Sequence, residues 1–180
     1  MDIFMPMSTT KRHNKITTTF SASLIDLIRR NEVDSFQEEC ALVYWGTKKN
    51  SHGFNLVDIT KIEDKNDFTE NIIFELEYVQ PDFVLFKNNL FVENKRQTRT
   101  AGQPDLIVEV WSESNSKNDR AFLQNLYATS EITEHWYIEQ DSNEVICYYG
   151  ANKLKNQYLT DILATRTGLK FDLRYLAIEN

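Results

Sequence analysis

Hydrophobic and polar positions repeat with two different periods along this chain, which predicts a mixture of helices and strands. Apolar side chains recur at helical spacing through 14–31 and again through 118–129, and the pattern predicts a helix over each segment. Short apolar or alternating runs bounded by polar residues predict strands. The predicted strands cover 36–45, 71–86, 105–111, 134–140 and 144–149, and one more strand and a short closing element follow after 153.

Polar segments separate these elements. Residues 46–70 lack clear periodicity and are interpreted as a loop or insertion, and residues 1–12 as an arm. The polar segment 87–103 contains the densest basic run of the chain, Lys95–Arg99. That run favours a solvated hairpin tip, with phosphate contact as the alternative. The order helix, strands, helix, strands predicts one mixed α/β domain over 1–180.

The composition narrows the class of protein. The chain has 180 residues, 41% hydrophobic and 26% charged, which is enough to bury a core without staples. Its net charge of −7 argues against a generic nucleic-acid coat protein, which would be basic, but leaves room for an enzyme with a local basic strip. Cys40 and Cys147 are too few for a disulfide framework. Since neither a membrane span nor a signal peptide is visible, we expect a cytoplasmic protein without a membrane partner.

Acidic residues in two apolar strands carry the candidate chemistry. Asp82 and Asp105 each follow a proline at the start of an apolar run, and Glu109 lies inside the second run. Burying a carboxylate there is costly unless it is paired or binds a cation. If 82–86 and 105–110 are antiparallel neighbours, Asp82 lies near Glu109. Asp105 shares a face with Glu109 but lies about 13 Å away, at roughly 3.3 Å per residue.

A divalent cation held by oxygens needs ligand distances of about 2.0–2.6 Å. Asp82 with Glu109 is therefore the preferred ligand pair, and Asp105 is the weaker candidate. Each Pro-Asp pair alone also fits turn chemistry at the start of a strand, and a buried salt bridge is the alternative for Glu109. His13, at a helix start, either neighbours the helix cap or touches an acid or phosphate at the site. Asp119 either caps the second helix or belongs to the site.

Other residues favour structural roles. His135 lies between polar and aromatic neighbours in a predicted strand and is interpreted as structural. Three scattered histidines and two distant cysteines do not form a zinc site. The three tryptophans lie in apolar runs and are expected in the core: Trp45, Trp111 and Trp136.

Taken together, residues 80–138 resemble the Uma-two family of predicted restriction endonucleases, which belongs to the PD-(D/E)XK nuclease superfamily. The upstream Pro81-Asp82 resembles a second Pro-Asp strand of that family, and His13 with its helix resembles the family's N-terminal segment. The spacing fits without a gap from 104 to 138. The residues that carry the main resemblance are Pro104–Val110, Ser112, Ser114, Asp119-Arg120, Tyr127-Ala128 and Glu134–Ile138.

The resemblance implies a restriction-endonuclease-like fold, in which helices flank a central mixed β-sheet. It also implies a phosphodiesterase site that uses Mg²⁺ or Mn²⁺, with DNA favoured over RNA as the substrate. By the match, Asp82 and Glu109 are the metal carboxylates, and Asp105 is a possible third acid. A homo-oligomer is left open.

Two departures from the family pattern raise alternatives. The superfamily's lysine position, two residues after the acid, is Trp111, and the position of the helical lysine in the Uma-two pattern is Leu123. The adjacent Gln124 is a candidate for orienting a water, but it is neutral. Because lost charge at such a site costs orders of magnitude in rate, the chain is either a weak nuclease or an inactive relative that binds nucleic acid or a protein. A structural or assembly domain with a buried acid network is the third interpretation.

Overall fold

The computed structural model of the protein describes residues 10–33, 35–46, 55–86, 90–129 and 133–178. Its helices are α1 (Lys11–Arg29), α2 (Lys65–Asp67) and α3 (Lys117–Ala128), with a π-helical turn at Phe68–Ile72 and 3-10 turns at Ile59–Lys61 and Arg174–Leu176. Its strands are β1 (Ser35–Glu38), β2 (Leu42–Trp45), β3 (Asn55–Leu56), β4 (Glu77–Val79), β5 (Phe83–Phe86), β6 (Phe91–Glu93), β7 (Thr100–Gly102), β8 (Leu106–Trp111), β9 (Glu134–Glu139), β10 (Glu144–Tyr149), β11 (Asn152–Lys153), β12 (Gln157–Tyr158), β13 (Ile162–Ala164) and β14 (Lys170–Asp172).

The central sheet has seven strands in the order β1-β5-β8-β9-β10-β11, and β12 also pairs with β10. Its pairs are antiparallel except β8 with β9, which α3 connects because a parallel pair needs a long crossover. All six residues of β8 are buried, as a central strand covered on both faces requires. The structure therefore confirms the predicted mixed sheet flanked by helices.

Each face of the central sheet has its own core. The apolar stripe of α1, which includes Phe20 and Leu24, packs with Val108 and with the C-terminal Phe171 on one face. Leu126 of α3 packs on the other face, in a cluster that also contains part of the second sheet. Because side chains alternate along a strand, neighbouring positions of β8 belong to different cores.

The second sheet has five strands in the order β3-β2-β7-β6, and β4 also pairs with β2. Within the described part of 46–70, β3 belongs to this sheet and short helical turns follow it. Val57, Ile59 and Phe68 of the segment lie in a third core. The described part of the segment is therefore folded and is not a plain loop, because a few apolar anchors are enough to fold it, and its interpretation as an insertion stays a prediction. The basic run of 87–103 lies at the turn of the β6–β7 hairpin.

Two predicted strands are in fact pairs of strands in different sheets. Segment 36–45 breaks into β1 and β2 around Glu39, whose φ is +46°, and 71–86 separates into β4 and β5 on either side of Pro81. The helix predicted over 14–31 begins earlier, at Lys11, and residues 1–9 of the predicted arm lie outside the described residues.

Two of the three tryptophans lie in the core and the third does not. Trp111 and Trp136 are buried as expected. Trp45 is 43% exposed, contrary to the expectation, since it is the last residue of β2; the Phe68 ring lies 6.1 Å from its ring. Among the described residues, no helix combines the length and apolar character that crossing a membrane requires.

Candidate functional site

Asp82 and Glu109 face each other across neighbouring strands. In the antiparallel pair β5–β8, Phe83 lies opposite Val108, and extending this register by one residue places Asp82, just before β5, opposite Glu109. Directly opposed residues of a β-pair point to the same face, with their Cβ atoms about 4.5–5.5 Å apart. The structure therefore brings the two acids of the preferred ligand pair together, at the end of the strands away from the start of β8.

Asp82 lies at the edge of the site and is held through both carboxylate oxygens. Its Oδ2 accepts a hydrogen bond from the backbone N–H of Val110 at 2.6 Å, and its Oδ1 lies 3.1 Å from Nε2 of His13. The hydrogen bond to Asp82 is the main reason why the pKa of His13 is raised above its ordinary value. The two side chains are 17% and 16% exposed, so this end of the acid pair remains open to solvent.

Glu109 lies deeper, with 7% exposure. Its Oε1 accepts a hydrogen bond from the phenol of Tyr127 at 2.6 Å. Burial and then the negative charge of Asp82 raise the pKa of Glu109 well above its ordinary value, against the lowering effect of hydrogen bonds from Tyr127 and the Asp82 backbone. Glu109 therefore holds a proton more firmly than an exposed glutamate does, and a nearby cation would relieve the repulsion between the two acids.

A buried network lies beside Glu109 on the next strand. Tyr137, opposite Glu109 in β9, lies 2.7 Å from Nδ1 of His135, whose Nε2 lies 2.9 Å from the carbonyl of Gly150. Because a carbonyl can only accept, Nε2 carries the hydrogen, and in the neutral ring Nδ1 accepts from Tyr137. Burial lowers the pKa of His135 to about 4, so the ring is neutral at pH 7. Tyr137 therefore donates away from Glu109, and Tyr127 is the phenol that supports the acid.

The other two candidate residues are Asp105, which lies apart from this pair, and Gln124, which lies on α3. Extending the same register places Asp105 opposite Phe86, at the far end of β8, where its backbone N–H bonds to Leu85 at 2.8 Å. The structure does not bring Asp105 to the Asp82–Glu109 pair. Gln124 is partly buried on α3, three residues before Tyr127, and residues at that spacing share a helix face.

The two positions at which the resemblance expects lysine are apolar and packed. Trp111 is 3% exposed, and its ring lies 4.0 Å from that of Tyr137. Leu123 packs against the core cluster that contains both Trp111 and Tyr127. Arg120 lies 4.6 Å over the Trp111 ring, but its guanidinium is paired with Glu139 at 2.6 Å. Its charge is therefore largely compensated.

Two further groups have structural partners. Ser116 caps α3, and its hydroxyl accepts from the N–H of Asp119 and donates to that carboxylate at 2.6 Å. Asp119 is thus the third residue of the helix and supports the cap. In the basic run, Lys95 pairs with Glu70 at 2.6 Å, and Arg99 binds three backbone carbonyls near the end of the π-helical turn. These two cations of the run serve the local fold.

The acid pair fits a hard divalent ion held by few protein ligands. No group of three or more His, Cys, Asp or Glu side chains suited to a metal occurs in the described part of the chain. Mg²⁺, however, keeps several waters and is commonly held by one or two carboxylates together with substrate phosphates. Asp82 and Glu109 match that donor set.

Three of these contacts cannot be assigned from the sequence alone. Tyr127 was part of the motif, but its role became visible only when α3 was placed over β8. His13 had two open interpretations, and the structure shows both contacts: its N–H donates to the capping Thr10, and its side chain lies 3.1 Å from Asp82. The N–H of Val110 has no signal in the sequence, because every residue but proline carries one.

Comparisons with known proteins bear on the family and the fold of this chain. The family model described as "Uma2: Putative restriction endonuclease" matches residues 62–172, more than half of the chain. The crystal structure of a "putative nuclease belonging to DUF820" from Anabaena variabilis ATCC 29413 is similar with a TM-score of 0.56 and 13% sequence identity, over 98% of this chain and 87% of that one. No curated protein matches the sequence. The structural similarity confirms the restriction-endonuclease-like fold.

Proposed function

Because this chain belongs to the Uma2 family of restriction-endonuclease-like proteins, we propose that it is a metal-dependent nuclease that hydrolyses phosphodiester bonds. We favour DNA over RNA because restriction endonucleases cut DNA. The observation that carries the proposal is the opposed pair Asp82–Glu109, in which burial and then the charge of Asp82 raise the pKa of Glu109. Two acids that repel each other in a largely buried site are well suited to share a cation.

Asp82 and Glu109 would bind Mg²⁺ or Mn²⁺. Such an ion holds the scissile phosphate, lowers the pKa of a water and offsets charge on the leaving oxygen. Tyr127 orients Glu109 through its phenol. Gln124, on the same side of α3, is our candidate for orienting the attacking water. Asp105 remains a candidate acid outside this centre, because four residues of extended chain separate it from Glu109.

We expect cleavage to be slow. A lysine near the two acids would stabilise charge that develops in the transition state, and the loss of such a group costs about 10²–10³ in rate. Leu123 and Trp111 supply no charge at the two lysine positions, and the nearby Arg120 is engaged with Glu139. The activity to look for is therefore weak and depends on added metal.

The test is cleavage of plasmid DNA with Mn²⁺ or Mg²⁺ by the wild-type chain and by Asp82→Asn and Glu109→Gln. Each substitution keeps the shape of the side chain and removes its charge, so each is expected to abolish cleavage. Glu113→Gln, at an exposed acid just after β8, is the matched control and should cut like the wild type. Asp105→Asn reports whether the third acid contributes. Equal cleavage by all variants would show that a contaminant cuts the DNA, and no cleavage by the wild type would refute the activity.

The second candidate is an inactive nuclease-fold module that binds nucleic acid or a protein, or serves in assembly. The apolar packing at Leu123 favours it. Leu123→Lys separates the two candidates, because Leu123 lies one helical turn before Tyr127 and its replacement adds a charge on that side of α3. Ala121→Lys adds the same charge on an exposed side of the helix and is the control. Cleavage gained only by Leu123→Lys would mean that the missing lysine alone limits this chain.

A further inference from the structure

The first turn of α1 reaches the acid pair from outside the central sheet. His13 is the third residue of this helix, and its Nε2 lies 3.1 Å from Oδ1 of Asp82. The other carboxylate oxygen, Oδ2, accepts the N–H of Val110 at 2.6 Å. One oxygen of Asp82 is thus held by the strand opposite and the other by the helix, so the plane of the carboxylate is fixed from two sides.

The helix start is itself fixed to the sheet. The hydroxyl of Thr10, which caps α1, donates to the side chain of Gln140 at 2.7 Å, and Nε of Arg12 donates to the Gln140 carbonyl at 3.2 Å. Gln140 is 4% exposed, and its N–H bonds to the carbonyl of Trp111 at the end of β8. The contacts form a closed path from β8 through Gln140 and α1 back to Asp82. His13 is therefore placed before any ligand arrives.

We propose that His13 is a positioning residue that holds Asp82 in the orientation needed to bind the metal ion. This inference rests on the proposed function, since it assigns Asp82 to the metal. Carboxylates that bind metals are commonly fixed by an outer hydrogen bond, and loss of that bond typically lowers metal affinity or activity by 10- to 100-fold. The start of α1, which lies outside the residues of the family match at 62–172, thereby becomes part of the site.

Two substitutions at His13 test the proposal. His13→Gln keeps a donor at about the position of Nε2, whereas the amide of His13→Asn is shorter and lies near the position of Nδ1, so it does not reach Asp82. The first readout is the amide proton of Val110 in the NMR spectrum of the metal-free protein, because its shift reports whether Asp82 still accepts that hydrogen bond. The second is Mn²⁺ affinity by calorimetry, with the unfolding midpoint measured for each variant.

We expect His13→Asn to move the Val110 amide signal and to weaken Mn²⁺ binding by about 10- to 100-fold, while His13→Gln stays within a few-fold of the wild type. A His13→Asn protein with the wild-type Val110 signal, or with wild-type Mn²⁺ affinity, would overturn the proposal. Equal losses in both variants together with equal drops in the unfolding midpoint would also overturn it, since they indicate a merely structural role. A wild-type chain that binds no Mn²⁺ refutes the proposed function instead, and the Val110 signal then still decides whether His13 holds Asp82.

Discussion

Replacing Glu109 by glutamine is expected to stabilise the metal-free protein at neutral and alkaline pH. Glutamine has nearly the same shape, and its amide can keep a hydrogen bond with Tyr127, but it carries no charge. Burial and the neighbouring Asp82 raise the pKa of Glu109 in the folded protein. The ionised form of Glu109 therefore destabilises the native state relative to the unfolded chain.

The sign and size follow from proton linkage. An unfolded glutamate titrates near a pKa of about 4.3, and the folded protein keeps the Glu109 proton to higher pH. Between the two values the folded state binds one proton more than the unfolded state, so the free energy of unfolding falls by up to about 1.4 kcal/mol per pH unit. The contribution of Glu109 is complete below the unfolded pKa and is lost as the pH rises through the folded one. The Glu109→Gln protein lacks this slope.

Urea unfolding, followed by tryptophan fluorescence in EDTA at several values between pH 4 and pH 9, measures the effect. The difference in unfolding free energy between Glu109→Gln and the wild type should grow with pH, starting near pH 4–5. Glu113→Gln replaces an exposed acid just after the same strand and should follow the wild type. Parallel pH profiles for the wild type and Glu109→Gln would refute the claim that Glu109 is a strained acid.

Three more outcomes are expected from single contacts. Tyr127→Phe removes the phenol that supports the buried Glu109 and should lower the urea unfolding free energy by about 1–3 kcal/mol; an unchanged value would contradict the contact. Burial raises the pKa of the Cys40 and Cys147 thiols to about 11, so iodoacetamide at pH 8 should label the native protein about two orders of magnitude more slowly than the urea-unfolded chain, and similar rates would exclude burial. Arg99→Met removes the guanidinium nitrogen Nη1 that binds three backbone carbonyls and should cost about 1–3 kcal/mol in the same urea assay, whereas Arg96→Met, at an exposed position, should cost little.

The pairing of β5 with β8 that forms the candidate site could be predicted from the sequence, because side chains alternate between the two faces of a strand with a period of two residues. Two apolar runs of similar length, each preceded by Pro-Asp, fit adjacent antiparallel strands, and that arrangement alone places Asp82 beside Glu109. The helix α3 was predicted within one residue at each end, since its apolar spacing is regular. The β9–β10 hairpin was predicted from its polar turn in the same way.

Other features of the fold and of the candidate site depend on contacts between residues far apart in sequence, which the local pattern of apolar and polar residues does not indicate. Segment 36–45 contains no glycine or proline, yet the chain turns from one sheet to the other at Glu39, whose positive φ is uncommon for a residue with a side chain. Segment 46–70 is mostly polar, so the few apolar side chains that pack against the second sheet form no periodic pattern from which strands or helices could be predicted. The contact between His13 and Asp82 joins residues far apart in sequence, so local pattern left it as one of two interpretations of His13.

The arrangement of charges around the acid pair argues for a function beyond stability. His13 can offset at most the charge of Asp82, and Glu109 receives only hydrogen bonds from neutral groups. Two acids with no more than one compensating cation among their described partners destabilise a core, and glutamine at position 109 would fill the same volume without the charge. Binding and catalytic sites commonly contain residues that lower the stability of the protein and yet are held in one position by the surrounding structure. Stability gained by Glu109→Gln together with lost Mn²⁺ binding would therefore show that the two acids serve the ion rather than the core.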